Sequence, residues 1–436
     1  MKIASDSPAA HATQSVDTAQ LLERIRQRFP ALARQGHRRA LCYLDGPAGT
    51  QVPTSVTSAI TDYLLHHNAN SHGLFPASIE TDQIVDRTRA ALCDFMGTSD
   101  PDEFVFGPNM TTLTMSFSRA IAQTWQPGDE IIVTQLDHDA NVAPWLLAAR
   151  DRGVTVHQVR LLKEHCELDL DHFHQLLSHR TKLVAVGAAS NAVGTINPIR
   201  HLATSAHAAG ALVYVDAVHW APHGRIDVSH WDADFVVCSA YKFFGPHLGI
   251  LWGRRELLES IEPYKVRPAP RAIPDCWMTG TLAFENVAGT LAAIDYLEWL
   301  GEQLIGSVGD RRSRLDAAFD WIGTYERQLL DQLVHGLRDL PGLTIWGLSA
   351  HQPARDRAPT ISLTVSGMAP SELATQLAAR DICSWNGNYY AYNWAEALNL
   401  NPAGAVRLGI VHYNTSEEIA YTLECFRSEL CHARPT

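Results

Sequence analysis

Between residues 103 and 252 the chain alternates short apolar, often β-branched runs with longer stretches of helical periodicity. The runs fall at 103–106, 130–134, 154–159, 183–187, 212–216, 235–238 and 248–252. This rhythm predicts a sheet of mostly parallel strands layered by helices, because a parallel neighbour needs a crossover long enough to hold a helix. In open sheets of this kind ligands bind beyond the carboxyl ends of the strands, so the residues closing each run are the first candidates for chemistry.

The flanking sequence behaves differently. Residues 18–35 read as a short amphipathic helix stopped by Pro30, followed by an irregular Gly/Pro-rich loop at 45–53. A long helical pattern at 311–340 ends at Pro341, and apolar runs at 343–346 and 359–365 precede helical patterns at 371–379 and 416–429. The expected division is an N-terminal segment and helix over 1–35, a large unit over 36–300 and a smaller α+β unit over 301–436. The N-terminal segment is expected to pack near the small unit.

Composition excludes several classes of function. A hydrophobic share of 46% and a net charge of −12 fit a globular protein whose main partner is neither nucleic acid nor an anionic membrane. No apolar run reaches the length of a membrane span, and residues 1–17 lack the apolar core of a signal peptide. The eight cysteines form no CxxC pair and the 21 histidines are scattered, so reduced thiols, a cytoplasmic location and no metal site are expected.

Two strand ends carry complementary chemistry. The run Val213-Tyr214-Val215 closes on Asp216, and the run ending at Cys238 is followed by Ser239-Ala240-Tyr241-Lys242. A carboxylate and an amine facing one crevice suit pyridoxal phosphate. The lysine forms a Schiff base with the aldehyde, and the acid keeps the ring nitrogen protonated so that the ring accepts electrons. Either residue alone reads equally well as an ordinary strand-end acid or a surface lysine. The Ser-x-x-Lys string also occurs in serine acylases, but there the serine opens a long helix, and Gly245-Pro246 interrupts any helix here.

Other strand ends add parts of the same kind. Gly107-Pro108-Asn109-Met110-Thr111 reads as a tight turn into a helix, which is a phosphate cradle or a plain N-cap. His138, within Asp-His-Asp-Ala-Asn, is placed to stack on a cofactor and move protons, or is a solvated loop histidine. Ser190-Asn191-Ala192-Val193-Gly194-Thr195 offers an amide to a phenolic oxygen. Arg407 sits inside an apolar run, where it needs an anion: a substrate carboxylate or a structural salt bridge.

In this order the motifs resemble the class V aminotransferase family of fold type I pyridoxal-phosphate enzymes, and within it the cysteine desulfurase-like branch. The resemblance runs from Tyr43-Leu44-Asp45 to His412-Tyr413-Asn414-Thr415. It implies an α/β fold, with a mostly parallel seven-stranded sheet covered by helices on both faces and a smaller α+β C-terminal domain. It also implies a role for each matching position. Lys242 would hold the cofactor, Asp216 would pair with the ring nitrogen, and His138 would stack on the ring and serve catalysis. His219 and Asn191 would meet the phenolic oxygen, Asn191 also reaching the substrate carboxylate. Met110, Thr111, Ser239 and Tyr241 would hold the phosphate. Arg407 would grip the substrate α-carboxylate, with Ala48, Trp385 and Tyr390 lining the substrate side. Gly280 and Thr281 resemble the segment that completes the phosphate site of a neighbouring subunit, which implies a homodimer with its active site at the interface.

One departure from the branch bears on function. Desulfurases of this kind pass sulfur to a loop cysteine, and the matching stretch here is Cys383-Ser384-Trp385-Asn386-Gly387-Asn388-Tyr389-Tyr390. Tyr390 falls at the cysteine's position and Trp385 where an arginine often sits. A phenol cannot carry a persulfide. The expected activity is therefore β-elimination or C–S lysis on a small α-amino acid without a protein persulfide. The alternatives are a decarboxylative aldolase acting on aspartate and an aldehyde, an aminotransferase or epimerase, and a non-catalytic binding protein.

Overall fold

The structure, a computed structural model, describes residues 17–348 and 357–432. The expectations for residues 1–16 lie outside the described residues. At the centre is a seven-stranded sheet in the order Phe104–Gly107, Gly249–Gly253, Phe235–Ser239, Leu212–Asp216, Thr181–Gly187, Glu130–Thr134, Thr155–Val159. Each strand lies within a residue or two of its apolar run. Gly249–Gly253 runs antiparallel to both neighbours, and the remaining ladders are parallel.

Apart from the edge strand Thr155–Val159, the sheet is buried on both faces, which is why its strands read as continuous apolar runs rather than as alternating ones. Val105, Ile131, Val133, Tyr214, Phe235 and Val237 pack into one core. Phe104, Ile132, Val184, Val213, Val236 and Ile250 pack into another on the opposite face. Each fully buried Val, Ile or Phe contributes about 1.5–3 kcal/mol. The strand order reverses between the parallel neighbours Glu130–Thr134 and Thr181–Gly187, later strands adding on opposite sides of that pair, and the crevice opened there faces the carboxyl ends of the parallel strands.

A second, antiparallel sheet is built from Leu343–Ile345, Thr360–Val365, Ala405–Gly409 and Trp385–Gly387, in that order. It shares a core with the long helix Arg311–Arg338 and the helix Ser416–His432, through Leu329, Leu333, Ile361, Leu408, Ile419 and Phe426. Near the N-terminus, Thr18–Arg26 is helical, and at the expected stop Pro30 opens a separate short 3₁₀ turn, Pro30–Ala33. A proline fits the first position of a new turn but not a helix interior. Cys42–Tyr43 then pairs in parallel with Ile382–Cys383.

The two sheets meet closely at the loop after Thr181–Gly187. Gly194 has φ +76°, and a Cβ there would lie 2.2 Å from the Ala358 carbonyl oxygen. Only glycine serves at that position. No helix among the described residues is long and apolar enough to cross a membrane.

Candidate active site

Five strand ends deliver side chains to one cleft. Asn109, Met110 and Thr111 follow Phe104–Gly107, and Asp137 and His138 follow Glu130–Thr134. Asn191 follows Thr181–Gly187, Asp216 and His219 come from the end of Leu212–Asp216, and Ser239, Tyr241 and Lys242 come from the end of Phe235–Ser239. The sequence expectation thus brought nine side chains to one place.

Lys242 is buried, and its Nζ donates to the carbonyl oxygen of Pro47 in the 45–53 loop. Burial, with Arg407 nearby, pulls its amine down to about 7, while Asp216 pulls the other way. The amine is therefore partly uncharged, and so nucleophilic, near neutral pH. Asp216 is buried and accepts from the Val218 N–H at 2.8 Å. Burial pushes its carboxyl up to about 6. Asp137, also buried, is pushed up to about 7 by burial despite accepting from the Thr134 hydroxyl, with Asp216 adding to the rise.

His138 accepts from the Ala140 N–H on Nδ1 at 3.0 Å, which leaves the proton of the neutral ring on Nε2. Burial, Lys242 and Arg407 lower it to about 3, so the ring is neutral at physiological pH. Tyr390 stacks on it, with ring centroids 5.4 Å apart and planes at 26°. At the helix end, Asn109 caps Met110–Ile121 by accepting from the Thr112 N–H at 2.9 Å, so the plain N-cap is real. The same turn lies beside Ser239, whose Oγ accepts from the Met110 N–H at 3.0 Å. A hydroxyl, a helix start and a threonine together form a suitable anion end. Gly249 is required here, since a Cβ would lie 2.4 Å from the backbone of Asn109.

The wall opposite the sheet comes from the second half of the chain. Arg407 is buried and donates to the Asn191 carbonyl oxygen at 2.8 Å, and its guanidinium lies 4.4 Å from the centre of the Tyr389 ring. Among the described residues no carboxylate lies within ion-pair distance of it, although Asp45 is near enough to favour its charge. Asn191 in turn donates to the Tyr389 carbonyl oxygen at 2.9 Å, and the Asp139 N–H donates to the Tyr390 carbonyl oxygen at 2.7 Å. The loop carrying Tyr389 and Tyr390 is thereby fastened to the sheet-side wall. Both tyrosines adopt left-handed backbone, with φ +54° and +59°.

The remaining expected residues lie apart from the cleft lining. Trp385 is exposed and stands in register with Arg407 on the adjacent strand. Ala48 lies next to Pro47 in the loop that meets Lys242. Gly280 and Thr281 line a different, open hollow with Arg89 and Asp275. Sequence reasoning did not single out Asp137, Tyr389 or Pro47. Asp137 had a local signal, as an acid next to His138 just past a strand. Tyr389 and Pro47 reach the site only through tertiary contacts and had none.

Pyridoxal phosphate fits this donor set. Two buried polar atoms at the cleft, Asn191 Oδ1 and His219 Nε2, have no partner among the described residues and are free to meet a ligand. A buried amine near neutrality, a buried acid and an anion end share the cleft with them.

The chain matches the Aminotransferase class-V family over residues 42–421. It is 31% identical over 415 residues to a probable cysteine desulfurase of Synechocystis, covering 93% of this chain and 95% of that one. A cysteine desulfurase of Serratia proteamaculans is 30% identical over 416 residues, covering 91% and 95%. The fold is that of the cysteine desulfurase of Thermococcus onnurineus, with a TM-score of 0.83 at 24% identity over 94% of this chain and 98% of that one. A cysteine desulfurase of Escherichia coli gives 0.80 at 24% identity, over 96% and 99%. The protein therefore belongs to the class V aminotransferase family and is a pyridoxal-phosphate-dependent enzyme.

Proposed function

We propose that this enzyme breaks a bond at Cβ of a small α-amino acid, with cysteine or an S-substituted cysteine as substrate, and releases sulfur without a protein persulfide. The observation that carries this reading is the placement of the thiols. Among the described residues no cysteine lines the cleft. Cys383 is half-buried in a strand paired with Tyr43, and burial, with Asp45 and Asp381 nearby, pushes its thiol up to about 11. Such a thiol is a poor nucleophile at neutral pH. Tyr390 lies against His138, at the position the resemblance gives to a persulfide cysteine.

The chain's own groups divide the work. Lys242 holds the cofactor through its amine, Asp216 holds the ring nitrogen, and Asn191 and His219 hold the phenolic oxygen. Ser239, Thr111, Tyr241 and the Met110 backbone hold the phosphate, and Arg407 holds the substrate carboxylate. Pyridoxal phosphate, when bound, supplies an aldehyde for amine exchange and a ring that withdraws electrons from Cα. Lys242 would take the proton at Cα, for which an amine near neutrality is well matched. His138 stays neutral alongside. For cysteine the balance is one water consumed, with sulfide, pyruvate and ammonia produced.

The large unit runs from 36 to 300 and the small one from 301 to 436, with the cleft between them. A second copy completes the phosphate end through Gly280 and Thr281. Support for the dimer comes from the exposed apolar side chains Leu74, Phe75 and Val266 in the segments that border the Gly280–Thr281 hollow.

A second reading, β-decarboxylation of aspartate with addition to an aldehyde, is supported by the two exposed aromatic side chains Trp385 and Tyr390, which would line the aldehyde side. The test is a panel of cysteine, S-substituted cysteines, cysteine sulfinate, and aspartate with aldehydes, scored for sulfide, pyruvate, carbon dioxide and new amino acids. Sulfide and pyruvate in equal amounts support the elimination. Carbon dioxide with a new amino acid replaces it by the second reading, and alanine formed from cysteine overturns both.

A further inference from the structure

Behind the cleft lies a second polar cluster that the cofactor reading leaves unused. His219 lines the cleft, and the ring of His223 meets it edge to face at 5.4 Å and 70°. His223 Nδ1 lies 2.8 Å from Glu326 Oε2, which comes from the middle of the helix Arg311–Arg338. Beyond it, His412 contacts Glu326 through its backbone and Tyr296 through Nε2, at 2.6 Å from the phenolic oxygen. Every member is buried, and the side chains of His223 and Glu326 are only 3% and 2% exposed.

A purely structural role explains this arrangement badly. A buried acid–base pair costs desolvation that apolar residues of similar volume avoid, so it adds little to stability. Glu326 Oε1 and His412 Nδ1 also lack partners among the described residues, a further cost in a structural core. The pair does have a functional neighbour, because one ring separates it from the cleft.

We infer that His223 and Glu326 are positioning residues that act on the bound cofactor through His219. The bond from His223 Nδ1 to Glu326 fixes the tilt of the His223 ring, and that ring's face or edge fixes His219. Burial, with His223, Arg407 and Lys242 nearby, holds His219 well below its ordinary pKa, so its ring is uncharged and its contact with a ligand depends on its orientation. The bonded pair keeps the His219 ring in its orientation on the cleft wall. The inference rests on the cleft holding pyridoxal phosphate and not on the proposed fate of sulfur.

The test follows the absorbance of the bound cofactor against pH in Glu326→Gln and His223→Gln, each alone and combined with His219→Ala. Thermal midpoints of the cofactor-free proteins are measured alongside. Each single variant is expected to move the spectral titration midpoint by about half a pH unit or more relative to the wild type. The same substitution should move it little once His219 is alanine, since the effect passes through that ring. An unmoved midpoint in both variants overturns the inference, as does a shift that persists without His219. Failure of both variants to fold also overturns it, because the pair would then be structural.

Discussion

The sheet-side wall of the cleft is made of strand ends, whereas the opposite wall is made of a loop and a strand that arrive late in the chain. On the first wall, Asp216, Ser239 and Lys242 sit at or just past the ends of fully buried strands, and their positions follow from the sheet itself. On the second, Tyr389 reaches Asn191 across 198 residues of sequence, and Arg407 is held between that asparagine and the tyrosine ring. On the proposed function, the first wall would carry the groups that any pyridoxal-phosphate reaction needs, and the second would meet the rest of the substrate, with Tyr390 where the resemblance expects a cysteine. A fold can thus keep its cofactor while its substrate wall changes.

The strongest way to break this division is at Lys242. Lys242→Ala should lose the near-visible absorbance of the bound cofactor and lower turnover by about 10³-fold or more. Reduction with borohydride and peptide mapping of the wild type should label Lys242. Label on another lysine would move the site off the sheet-side wall. Because the amine is held near 7, cofactor uptake by the apoenzyme should quicken as pH rises through about 7 and then level off. A rate still climbing toward 10.5, the ordinary lysine value, would show that burial does not act on it.

Asp216→Asn should keep the cofactor and slow turnover by about 10²–10³-fold, through loss of the charge that holds the ring nitrogen protonated. Near-normal turnover would make the acid structural. On the other wall, Arg407→Lys should raise KM for the amino acid about 10- to 100-fold with a smaller change in kcat, as expected when a forked ion contact is lost. An unchanged KM would take the carboxylate away from Arg407. Tyr390→Ala should change the ranking of substrates in the panel while shifting stability by no more than about 0.5 kcal/mol, since Tyr390 is 72% exposed. An unchanged ranking would remove it from the substrate wall.

Legibility in the sequence follows the same division. Six of the seven strands were readable because burial on both faces forces continuous apolar runs, and strand ends exposed Asp216, Lys242, His138 and Asn191. The reversed direction of Gly249–Gly253 was not readable, because an apolar run looks the same in either direction. Tyr389 and Pro47 had no local signal, since each contact forms only when distant segments close on the cleft. Asp137 was visible as a residue beside His138, but its burial was not.

The central claim is that the cofactor wall is intact while sulfur relay through a loop thiol is absent. It is tested most directly by exposing the holoenzyme to cysteine, tagging persulfides and mapping them by mass spectrometry, with Cys383→Ala run in parallel. The account predicts sulfide in solution, no stoichiometric persulfide on Cys383 or on the 384–391 loop, and turnover in Cys383→Ala close to that of the wild type. A stoichiometric persulfide on Cys383, with turnover lost in Cys383→Ala, would contradict it.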